Sequence, residues 1–158
     1  MTHETNHAAE QAASQAQSIS AMVSALSLDW DRLEELKDTL PEDLDQDEAE
    51  ELAELMAAAG EYESQEDAER AIDEDPLSIE VRSGWHTPGE EATADEFCIL
   101  LCTGGPAVRL VGDLNQHMEP ESVRIEYQDW GTGWTEYNGP EVDRDDLLSY
   151  AQRCYFGR

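Results

Sequence analysis

Twenty-one of the 47 residues from Asp29 to Asp75 are carboxylates, and only Arg32, Lys37 and Arg70 oppose them. Charge at that density cannot enter a core, because an unpaired buried ion costs far more than folding returns. The segment is therefore confined to thin, solvated elements with a narrow apolar side. Its densest run, DLDQDEAEELAEL (43–55), holds seven carboxylates in thirteen residues and no base. On a helix, Glu50 stacks over Glu54 and Asp47 over Glu51, and each like-charged pair destabilises by about 0.2–0.5 kcal/mol. Stability alone does not account for such a run.

The imbalance extends to the whole chain. Its 158 residues carry 38 acids and 9 bases, a formal charge of −29. Residues 1–28 contribute two acids and no base, residues 29–75 a net of −18, and residues 76–158 a net of −9. Direct binding of nucleic acid through phosphate contacts is excluded as an expectation, since it needs Lys and Arg. An anionic membrane surface is excluded likewise. The N-terminal MTHETNHAAEQ has neither a basic n-region nor an apolar h-region, and no apolar run has membrane-span length. With cysteines only at 98, 102 and 154, the expectation is a cytoplasmic protein with reduced thiols.

Character changes at Pro76, from Ala, Leu and Glu to β-branched residues, tryptophans and Gly-containing turns. The expected class is α+β. An acidic helical lobe (1–75, its first ten or so residues disordered) precedes a four-stranded antiparallel sheet and a C-terminal helix (76–158), the two forming one cooperative unit. The stripe Ala9, Ala12, Ala16, Ile19, Val23, Leu26, Trp30, Leu33 recurs at helical spacing. With caps at Ser27 and Asp29 it predicts helices at 5–26 and 29–39. Asp45 and Glu48 have capping-box spacing for a helix at 46–59 that ends at Gly60, with Ala49, Leu52, Ala53, Met56 and Ala59 inward. Ser64 and Asp67 suit the start of a helix at 65–73. Strands are predicted at 78–85, 96–102, 107–112 and 122–130. Asp143 caps a last helix at 144–156, which buries Leu147, Tyr150, Ala151 and Cys154.

Chemistry-bearing patterns are few. Asp43, Asp45, Asp47 and Glu54 match calcium-loop positions 1, 3, 5 and 12, but Glu48 stands where the loop needs glycine. Cys98 and Cys102 lie four apart on a predicted strand, about 13 Å, too far for one metal ion, and are expected on the second sheet face. No metal site and no cofactor are expected. There is no G-x-S-x-G, P-loop or G-x-G-x-x-G, so no catalytic residue is assigned and the chain is not expected to be an enzyme. YQDWGTGWTEY (127–137) holds two tryptophans and two tyrosines. The favoured reading is that these rings fill a small core. The alternative is a partner-binding spot at Trp130, Trp134 and Tyr137.

An acid-rich helix rising 1.5 Å per residue with half its residues ionised carries about one charge per 3 Å, near the density of a single DNA strand. As a charge pattern, residues 29–75 resemble the DNA-mimic inhibitors of phages and plasmids, the anti-restriction and anti-CRISPR proteins. EVRSGWHTPGE and QDWGTGWTEY resemble segments of uncharacterised proteins of proteobacterial mobile elements. The resemblance implies a non-enzymatic inhibitor in a bacterial cytoplasm whose partner is a basic, nucleic-acid-binding defence complex. The expected contact residues are Asp43, Asp45, Asp47, Glu48, Glu50, Glu51, Glu54, Glu61, Glu63, Glu66, Asp67, Glu69, Asp73, Glu74 and Asp75. The alternative is a protein-interaction module working through Trp130 and Trp134, with charge serving solubility. The oligomeric state stays open, with a dimer through the 9–33 stripe as one arrangement.

Overall fold

The computed structural model describes residues 6–157. The fold is α+β, with five α-helices and one open antiparallel sheet of five strands among the described residues. Of the ten residues expected to lack structure, 1–5 lie outside the described residues and His7–Glu10 begin helix α1, His7–Leu26. Asn6 starts it by accepting the Ala9 N–H on its side-chain oxygen at 3.1 Å. The chain divides into two compact units, one holding α1 as far as Ser20 together with the chain from Ile72 onward, the other Ala21–Ala71.

In the first unit the strands β1 (Ser78–Arg82), β2 (Glu96–Cys102), β3 (Ala107–Asp113), β4 (Arg124–Gln128) and β5 (Thr135–Glu136) lie side by side in chain order. Strand alternation sends Phe97, Ile99, Val108, Leu110 and Ile125 inward, where they are buried. Ala8, Ala12, Ala16 and Ile19 of α1 are buried too, as are Leu147, Tyr150 and Ala151 of the last helix, α5 (Arg144–Gln152). On the other sheet face most side chains are exposed or half-buried. That face carries Glu80 and Arg82 of β1, Glu96, Cys98 and Leu100 of β2, Arg109 of β3, and Arg124 and Glu126 of β4. Gly112 is obligatory, because a Cβ there would lie 1.9 Å from the carbonyl oxygen of Ser122.

Four expectations about this unit are corrected. A fifth strand exists; with two residues it is too short to show a period-two pattern. β1 stops at Arg82, not Trp85, because Asp95 turns in and closes the ladder. Its N–H donates to the Arg82 carbonyl at 2.9 Å, and its carboxylate accepts from Gly84 N–H at 2.7 Å. α5 ends at Gln152 in tight i→i+3 bonds from Arg153 and Cys154, which leave Cys154 past the helix and half-buried. Cys98 and Cys102 do not share a face. A bulge between Leu100 and Cys102 sets Cys102 opposite buried Val108, while Cys98 lies on the open face.

The second unit is helical. α2 (Trp30–Asp38) is capped by Asp29, which accepts the Arg32 N–H at 3.0 Å, and buries Leu33 and Leu36. A 3₁₀ turn, Pro41–Asp43, leads to α3 (Gln46–Ala59), which carries the complete Asp45/Glu48 capping box. α4 (Gln65–Glu74) starts with a reciprocal cap: Ser64 Oγ accepts the Asp67 N–H, and Asp67 accepts the Glu63 N–H, both at 3.1 Å. The inward face expected of α3 is rotated. Ala49, Ala53 and Met56 are exposed, and only Ala59 of that set is buried. The half-buried side instead carries Glu48, Glu51, Leu52 and Leu55. That side holds both leucines of α3, and taking Leu55 together with Leu52 turns the apolar face away from Ala49, Ala53 and Met56. Among the described residues no helix is long and apolar enough to cross a membrane.

Candidate functional site

The carboxylates singled out above fall into three groups. The first is spent on local structure: Asp45 and Glu48 close the box on α3, and Asp67 caps α4. The second is held by other side chains. Arg32 grips Glu51 with two parallel bonds, Nε to Oε1 and Nη2 to Oε2, each 3.0 Å, and reaches Glu35 at 3.1 Å. These bonds hold the Glu51 carboxyl below its ordinary range. The fork–fork geometry ties that side of α3 to α2. In the other unit Asp75 accepts from the hydroxyl of buried Tyr150 at 2.6 Å. Burial first, and then this bond, raise the Tyr150 pKa.

The third group remains: Asp43, Asp47, Glu50, Glu54, Glu61, Glu63, Glu66 and Glu69 in the helical unit, and Asp73 and Glu74 in the other. All but half-buried Glu69 are exposed. None of these ten is in an ion pair among the described residues. Helical spacing puts Asp47, Glu50 and Glu54 on one stripe of α3, beside a second exposed stripe of Ala49, Ala53 and Met56. α3 thus offers an anionic ridge with an apolar strip beside it. The helical unit has 18 acids and three bases, and Arg32 is its only described base in an ion pair.

The aromatic segment does not fill the core, contrary to the favoured expectation. Trp130 is 83% exposed at the β4–β5 turn. Trp134 is half-buried, its ring 4.0 Å from the Arg109 guanidinium carbon, a cation–π contact. Tyr137 stands edge-on to Tyr127 and donates its hydroxyl to Glu141 at 2.6 Å; that bond raises the phenol's pKa. Beneath Trp134, Glu126 is 8% exposed and accepts from Arg109 at 2.9 Å and Arg124 at 3.0 Å. Arg82 pairs with Glu96 on the same face. A cavity of about 280 Å³ is lined there by Arg82, Cys98, Arg109 and Arg124. Burial pushes the Cys98 thiol up, so it is a poor nucleophile.

Sequence reasoning missed Arg32 and Arg109 as the residues that organise these surfaces. The scarcity of bases was the available signal, since few guanidinium groups are there to meet so many carboxylates. Among the described residues no three His, Cys, Asp or Glu side chains gather as a metal would require. Asp43 to Glu54 run from a 3₁₀ turn into helix, which is not the loop a calcium ion needs. Comparison with known protein families, with curated proteins and with solved structures finds no match to this chain.

Proposed function

We propose that the protein acts by binding, as an inhibitor that occupies the cationic groove of a nucleic-acid-binding complex with the ridge on α3 and its neighbouring carboxylates. The observation that carries this reading is the stripe Asp47, Glu50, Glu54, which is exposed and has no ion-pair partner among the described residues. Such a stripe is costly to a helix and useful to an anionic mimic. It is opposite in sign to a groove lined with Lys and Arg, which speeds encounter. In this reading the chain works in a bacterial cytoplasm against a defence complex of the CRISPR or restriction type, without cofactor or catalysis.

The test is displacement of a labelled duplex from purified CRISPR effector and restriction complexes. The variant is Asp47→Asn/Glu50→Gln/Glu54→Gln, which spares Asp45, Glu48 and Glu51 and so keeps the helix cap and the Arg32 pair. Inhibition should fall steeply with salt and drop by more than about tenfold in the variant. Equal inhibition by the variant would discard the ridge as the contact.

A second reading rests on Trp130, which is 83% exposed at the β4–β5 turn. Exposed tryptophans serve as interface anchors. An aromatic contact predicts weak salt dependence and a large loss with Trp130→Ala, both opposite to the mimic.

A further inference from the structure

β1 is the outer strand of the sheet, and nothing among the described residues pairs with its free edge. Natural sheets protect such edges with proline, bulges, inward charges or a covering loop. Over Ser78–Arg82 this edge has no proline and no paired strand among the described residues; its charges, Glu80 and Arg82, stand on one side and the other side is apolar. Leu77, Ile79 and Val81 alternate on the side away from Glu80 and Arg82, and they are 59%, 38% and 43% exposed. Trp85, further along, is fully exposed. Arg82 turns its carbonyl to the β2 side, where Asp95, the residue before β2, donates to it. Alternation therefore turns the N–H and C=O of Val81 outward.

We infer that this edge pairs with the same edge of a second copy, antiparallel, with the twofold axis at Val81. The register follows from charge. With the axis at Val81, Glu80 of each copy faces Arg82 of the other, giving two ion pairs on one face and Val81 against Val81 on the other. Leu77 and Trp85 of opposite copies then fall on the same apolar side. An axis at Glu80 sets two carboxylates directly opposed, which is unfavourable. An axis at Ile79 leaves both charges unmatched and brings Pro76, which has no N–H, into the ladder. Arg82 can bridge two carboxylates, since Glu96 of its own chain lies on the neighbouring strand. The contact is isologous, so it closes at two copies and joins the sheets into one of ten strands. It is independent of the acidic ridge, and it would double the number of ridges per assembly.

Sedimentation of the full chain across a concentration series tests this. It is run at about 0.15 M salt, where the Debye length is about 8 Å and repulsion between polyanionic copies is screened. A monomer–dimer equilibrium is expected. Val81→Pro removes the outward N–H, and Glu80→Arg sets like charges opposite Arg82; each should weaken association by at least about tenfold, with circular dichroism and melting unchanged. Val81→Cys should give a disulfide-linked dimer under mild oxidation, because directly opposed residues lie about 5.5 Å apart. Ile79→Cys should not, as its counterpart lies about four residues along. Peptide mapping of the linkage separates the introduced thiols from Cys98, Cys102 and Cys154. A monomer at every concentration, or equal linkage at positions 79 and 81, would overturn the proposal.

Discussion

Glu126 concentrates the sheet's electrostatics in one side chain. Burial works to raise its pKa, and the bonds from Arg124 and Arg109 outweigh burial, so the carboxyl is held below its ordinary range. A carboxylate depressed in the folded state stabilises fully above its unfolded pKa, about 4.3, and that contribution is lost as pH falls through the folded value. Glu126→Gln should therefore cost about 1.5–3 kcal/mol at neutral pH, read by chemical denaturation. The deficit should shrink as the medium is acidified below about pH 4.3. The same change should weaken the Arg109–Trp134 stack, because Arg109 loses the anchor that orients it. Quenching or a spectral shift of tryptophan fluorescence would report that.

At the scale of elements, α3 depends on its cap and is strained by its charge. Asp45→Ala should destabilise by about 1 kcal/mol, whereas Glu50→Gln with Glu54→Gln should stabilise by about 0.2–0.5 kcal/mol by removing an i,i+4 repulsion. Thermal melts of the two variants should move in opposite directions. These helix signals were legible in the sequence because they are local. Asp29, Asp45, Ser64 and Asp143 announce helix starts within four residues of the groups they cap, and all four do so in the structure. What could not be read was non-local. Arg32 engages Glu51 from nineteen residues away. The faces of Cys98 and Cys102 are decided by a bulge. The end of β1 is set by Asp95, thirteen residues after Arg82. For the same reason the candidate site was legible only as a list: composition located the acidic segment, but not which carboxylates were already engaged in caps, in the Arg32 fork or with Tyr150.

For the molecule as a whole, 38 acids against 9 bases make mutual repulsion a standing load on the folded state. Raising sodium chloride from low to moderate concentration should lift the melting temperature, by about 2–4 °C for each kcal/mol of repulsion screened. A flat or falling trend would mean that ion pairs such as Arg32–Glu51 outweigh the repulsion. The salt trends of stability, of β1 pairing and of partner capture are thus separable, since only the last should weaken. The unopposed stripe on α3 carries one more implication. In solution its countercharge is a loose cloud of ambient cations. A protein that docked there would set those ions free, and titration calorimetry should record an association with little heat, driven by the entropy of the liberated ions.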